Sequence, residues 1–135
     1  MRDDAYRLAR ISEVGRQLLS VVDERSIDEE AVLRDFEVQW LITTPLYNIG
    51  EQANCVSRAY ADAHPEVPWA QIAGLRHRLV HDYEGVNWKM IAAVLFDELP
   101  EVVEQIEGLL GEGEMHCDTS EAEGVDENRR GHAVP

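Results

Sequence analysis

Within eight residues, Arg76 to Tyr83 (RHRLVHDY), the chain gathers two arginines, two histidines and a tyrosine. Imidazole changes charge near neutral pH, so His81 can take a proton from a ribose 2′-hydroxyl or give one to a leaving oxygen. A guanidinium stays charged and offers a planar fork to phosphate oxygens, which suits Arg76. Together these two are the minimum equipment for cutting a phosphodiester without a metal. Two other readings are open on the same residues. Arginine and histidine in the last turn of a helix complement its dipole and pair with acidic neighbours. His77 and His81, four apart, are also spaced to share one metal ion, with Glu84 or His64 as a further ligand, although no H-E-x-x-H pattern is present.

Helical geometry constrains the first reading. At about 100° per residue, His77, His81 and Glu84 share one face, and Arg76, Val80 and Tyr83 share the neighbouring one. Arg76 and His81 stand about 140° apart around the axis. A straight helix cannot aim both at one small ligand. Either the helix unwinds near His81, as Gly85 permits, or a second copy of the chain completes the site.

The elements that must position this segment are helical, because apolar residues recur at three- and four-residue steps with no two-residue alternation. Asp3 or Asp4 can cap a first helix carrying Leu8, Ile11, Val14, Leu18 and Val21 and ending near Asp23. Ser26, with Glu29 three residues on, has the pattern of a capping box opening a short helix. A longer helical segment is expected from Asp35 to Ala61, with Phe36, Trp40, Ile42, Leu46, Ile49, Ala53 and Val56 as core candidates and a kink or short break at Pro45. The DAHPEVP stretch is a turn, and His64 within it is expected to be solvated. A further helix starts near Trp69, turns Ile72, Leu75 and Leu79 inward, and stops at Gly85. Asn87 caps the last helix, whose stripe runs Trp88, Ile91, Leu95, Leu99, Val102, Ile106 and Leu109, with Pro100 placed to split it. The expected fold is all-α: an up-and-down bundle of four principal helices plus a short extra helix.

Composition sets the limits. The 135 residues carry 27 acidic and 12 basic side chains, a formal net charge of −15. Phosphate contacts drive non-specific nucleic-acid affinity, so such a chain is a poor general RNA binder and needs a local positive site. Residues 1–111 hold the helical domain. Residues 112–135 are acidic, poor in apolar groups, and expected to be a disordered tail. The charged opening MRDDAYRLAR argues against a secretory signal, no apolar run has the ~18 residues of a membrane span, and Cys55 and Cys117 make no disulfide framework. A cytoplasmic protein with reduced thiols is expected.

Arg76, His81 and Tyr83 form R-x4-H-x-Y with a polar residue, His77, directly after the arginine. This resembles the signature of the HEPN superfamily. WAQIAGLRHRLVHDYEGVNW resembles the defining segment of the HepT-like toxins within it, and YNIGEQA (Tyr47 to Ala53) resembles their motif on the preceding long helix. The likeness runs in order from Asp3 to Leu110.

The resemblance implies an all-α, two-fold homodimer with both motifs facing a shared cleft. It implies a ribonuclease toxin that needs no metal or other cofactor, and a partner encoded beside it: an MNT-type nucleotidyltransferase antitoxin that transfers AMP to the motif tyrosine, here Tyr83. Arg76 and His81 then carry the chemistry, with His77, Tyr83 and Glu51 in support. Glu51 is expected to pair with an arginine of the cluster, and Arg78, one step outside the motif, reads equally as surface charge. Trp40, Trp69 and Trp88 are read as core or dimer contacts rather than stacking platforms. The competing function is a non-enzymatic helical dimer that serves as a protein-interaction module.

Overall fold

The computed structural model describes residues 3–81 and 85–121, with backbone alone for Val80, His81 and residues 113–121. Seven α-helices follow one another: α1 (Asp4–Glu24), α2 (Glu29–Arg34), α3 (Phe36–Asn54), α4 (Arg58–Ala63), α5 (Trp69–His81), α6 (Trp88–Ala93) and α7 (Leu99–Glu121). A π-helical turn, Val94–Glu98, joins α6 to α7 without interruption. Among the described residues there is no strand. The all-α bundle is therefore observed: α1, α3, α5 and the α6–α7 rod are its principal members. Two short helices accompany them rather than one.

Caps explain most of the starts. Asp3 accepts a hydrogen bond from the Tyr6 amide at 3.0 Å and Asn87 from the Met90 amide at 3.1 Å, so both ends begin where the sequence places them. α2 differs. Its cap is Asp28, which accepts from the Ala31 amide at 2.9 Å. Ser26 instead takes a left-handed turn conformation, φ 53°, which removes it from capping geometry. The expected helix from Asp35 to Ala61 breaks at Cys55–Ser57, where Ser57 starts α4 by accepting from the Tyr60 amide at 3.1 Å. Asp4 fixes that break, because its carboxylate accepts from the Ser57 amide at 2.8 Å and from its hydroxyl at 2.7 Å. Asp4→Ala is expected to cost about 1 kcal/mol in chemical denaturation, through these two partly exposed bonds.

Neither proline breaks its helix. α3 runs through Pro45 to Asn54. At Pro100 the wider π turn just before it takes up the backbone that proline can neither donate to nor pack against, and the rod continues into α7. α7 reaches Glu121, past the Gly111 boundary, and residues 122–135 of the expected tail lie outside the described residues.

The core threads all principal helices. Ile11, Ile42, Leu46, Ile49, Leu75, Ile91, Leu95, Val103 and Ile106 are almost wholly enclosed, each contributing roughly 1.5–3 kcal/mol of burial. Phe36 and Trp40, expected in that core, are exposed at 58% and 70%. α3 buries the stripe of Ile42, Leu46, Ile49 and Ala53, and the aromatic pair lies on the face turned away from it. α3 packs most extensively on α5, the helix that carries the motif, and next on α1. No helix of the described residues is long and apolar enough to cross a membrane.

Candidate active site

The crossing of α3 and α5 sets the position of Arg76. Gly50 lies at the contact. An added Cβ there would come within 2.9 Å of the Arg76 amide nitrogen and 3.0 Å of the Ile72 carbonyl oxygen. Only glycine lets the two backbones approach this closely. The next residue on α3, Glu51, places Oε1 3.1 Å from Arg76 Nε. Both atoms are buried, and neither has an aligned hydrogen bond among the described residues, so the contact is an ion pair rather than a directed bond. The Arg76 side chain as a whole keeps 42% of its exposure. With Nε enclosed, that exposure belongs to the rest of the side chain, which leaves charge available to an anion.

α5 stays helical through His81. The unwinding that would bring Arg76 and His81 onto one side does not occur before His81, so their positions keep the offset of about 140°. The His81 side chain lies outside the described residues, as do Tyr83 and Glu84 entirely. His77 is exposed on α5 and engaged in an interaction. Arg78 is also exposed, its Nη1 3.5 Å from Met90 Sδ.

His64 is half-buried rather than solvated. Its ring lies 4.4 Å from that of Tyr60, its carbonyl accepts from Trp69 Nε1 at 2.9 Å, and its Nδ1 is 3.7 Å from Glu66. Its neighbours give it a packing role. Among the described residues no three His, Cys, Asp or Glu side chains are grouped to hold a metal.

Two features escaped the sequence. Gln52, only 8% exposed, is enclosed at the α1–α3 contact and accepts from Arg7 Nη1 at 2.8 Å. Its neighbours in sequence gave no sign that a polar residue would face inward. The second is an open groove of about 540 Å³ beside the α5 terminus. α3 contributes Gln39, Trp40, Thr43 and Thr44 to it. Leu79, Val86 and Trp88 form the opposite wall. Of the three tryptophans, Trp69 is core, Trp88 is half-buried in the groove wall, and Trp40 is open.

The family model for the HepT-like ribonucleases matches residues 8–109. The chain is 31% identical over 86 residues, 64% of its length and 77% of the relative's, to a protein provisionally named RNase TTE0752 from Caldanaerobacter subterraneus subsp. tengcongensis. It is 27% identical over 113 residues, 84% of each chain, to one provisionally named RNase MJ0127 from Methanocaldococcus jannaschii. It is 27% identical over 95 residues, 69% of its length and 86% of the relative's, to "Probable ribonuclease HepT" of Thermococcus cleftensis. No solved structure matches. A match that spans α1 to α7 and includes the Glu51–Arg76 crossing is a match to the whole bundle, and the chain belongs to the HepT-like ribonuclease family of the HEPN superfamily.

Proposed function

We propose that the chain is a metal-independent endoribonuclease and the toxin of a type VII-like toxin–antitoxin pair, neutralised when an MNT-type nucleotidyltransferase transfers AMP to Tyr83. The observation that carries this reading is Arg76: the first residue of R-x4-H-x-Y, held at Nε by Glu51 while the rest of its side chain stays exposed. Family membership and the names of the relatives support it.

In this mechanism Arg76 holds the scissile phosphate and His81 accepts the 2′-hydroxyl proton as O2′ attacks phosphorus. The O2′–P bond forms, the P–O5′ bond breaks, and the 5′ oxygen takes up a proton from an imidazolium or water. The products are a 2′,3′-cyclic phosphate and a 5′-hydroxyl. In this reading a two-fold homodimer completes the site, with Arg76 of one chain working beside His81 of the other, and the helical course of α5 to His81 supports it. His77 supports the arrangement. Adenylylation joins the Tyr83 oxygen to the α-phosphorus of ATP and releases pyrophosphate. The added anion, seven residues along the chain from Arg76, repels RNA and competes for the cation.

Purified protein is expected to cut single-stranded RNA in excess chelator, leaving cyclic phosphate ends. Co-expression with a nucleotidyltransferase encoded beside it should add one AMP by intact-mass measurement, and Tyr83→Phe should abolish the addition. RNA left intact by the unmodified protein would sink the reading. The interaction-module alternative rests on the exposed Phe36–Trp40 pair. It survives only if Arg76→Ala and His81→Ala change neither RNA integrity nor growth.

A further inference from the structure

We infer that the groove between α3 and the end of α5 is a nucleobase subsite, in which an unpaired base of the RNA strand stacks on Trp40. The inference rests on the ribonuclease reading for the strand's identity and on the groove itself for the rest. Trp40 is 70% exposed, and Phe36 supports its ring edge-on at 4.9 Å. A large indole held in place but uncovered is a stacking platform for the bases of a single strand.

The groove's polar groups suit the edge of a base. Gln39 lines the groove with its Nε2 donating to the Val32 carbonyl at 2.8 Å, and its Oε1 is a further acceptor on that side chain. Thr43 Oγ1 donates to the Gln39 carbonyl at 2.6 Å and keeps its lone pairs for a donor. The exposed Thr44 hydroxyl can donate or accept. A volume near 540 Å³ takes one nucleotide with room for its neighbour.

The charge of the lining suits this occupant. None of the seven lining residues is charged, in a chain with 27 carboxylates. The exposed cations Arg78 and Lys89 adjoin Leu79 and Trp88 of the wall. A neutral base can therefore be held where no lining carboxylate faces its own strand. Placement agrees. Trp40 lies eleven residues before Glu51 on α3, ~16 Å along the axis, which roughly five stacked nucleotides span. Leu79 and Val86 also bracket the motif's His81 and Tyr83 in sequence.

The test is a titration of tryptophan fluorescence with an uncleavable single-stranded 2′-O-methyl oligoribonucleotide and with its abasic counterpart. Trp40→Ala should weaken binding of the base-bearing strand roughly 10- to 100-fold. Trp40→Phe should restore most of it. Wild type should lose a similar factor on the abasic strand, for which Trp40→Ala loses little more. Sedimentation should be the same for wild type and Trp40→Ala. Equal affinity of wild type and Trp40→Ala, or of base-bearing and abasic strands, overturns the subsite. So does a Trp40→Ala protein that dissociates, since the stripe is then a protein interface. If wild type cuts natural RNA but Trp40 carries no affinity, the subsite falls and the ribonuclease stands. If Trp40-dependent binding appears and no RNA is cut, the reverse holds.

Discussion

Arg76→Ala is expected to lower RNA cleavage by ~10²–10³-fold, the loss typical when one group that stabilises transition-state charge is removed. His81→Ala should cost ~10²–10⁴-fold, the range for a positioned acid–base group. The two variants should part company in stability. His81 is the last residue of α5, where alanine is at least as good a helix former. Arg76 is the cation beside Glu51 Oε1, and its loss removes a partly exposed ion pair between α3 and α5, at about 0.2–1 kcal/mol. Glu51→Gln separates anchoring from chemistry: the guanidinium keeps its charge but loses its ionic tether. Cleavage should fall less than in Arg76→Ala, and mainly through kcat, because an untethered fork spends less time in the productive orientation. Arg76→Lys keeps the charge without the fork and should recover little. Steady-state cleavage beside thermal unfolding checks all four. Equal rates for wild type and Arg76→Ala would remove Arg76 from the chemistry.

Some of this was legible in the sequence, and the failures have a common cause. Asp3 and Asn87 cap where expected because a cap is local: one side-chain oxygen within three residues of an amide. Ser26 and Asp28 were both locally eligible, and the turn after α1 decided for Asp28 by rotating Ser26 to positive φ. On α3, periodicity groups Ile42, Leu46, Ile49 and Ala53 on one face and Phe36, Trp40 and Tyr47 on another. It does not say which face meets α1 and α5. The residue types suggested that Phe36 and Trp40 were core too, and among the described residues only the first face is buried. Pro100 was visible, but the π turn that absorbs it was not, since nothing in the preceding residues marks a wider turn. The motif itself was readable because its spacing is local in the chain. The Glu51–Arg76 ion pair and the Arg7–Gln52 bond join residues 25 and 45 apart, and their distances belong to packing. The groove exists only once α3 and α5 are side by side.

That side-by-side packing gives the other large expectation. Gly50→Ala should destabilise the fold and disable the site together, whereas Gly74→Ala should stabilise the fold. A Cβ at Gly50 meets the Arg76 nitrogen, the Ile72 oxygen and Leu75 Cβ at 2.9, 3.0 and 3.4 Å. Two of these are backbone atoms, which cannot swing aside, so α3 and α5 must move apart. Overpacking of this kind costs about 1–3 kcal/mol, and the ~1 kcal/mol gained from alanine's helix propensity offsets it only in part. At Gly74 the same Cβ meets nothing within 4 Å, so the helix-propensity gain remains, about 0.5–1 kcal/mol. Thermal unfolding should therefore move down by several degrees in one variant and up slightly in the other, though both are glycine-to-alanine changes in a helix. The activity should diverge further than the stability. Separating the helices shifts the Arg76 backbone against Glu51, and small misplacements of a reacting group are costly in rate. Gly50→Ala protein assayed well below its melting temperature should remain slow, while Gly74→Ala matches wild type. A Gly50→Ala protein with native melting temperature and native rate would show that the close approach of α3 and α5 does not set the position of Arg76.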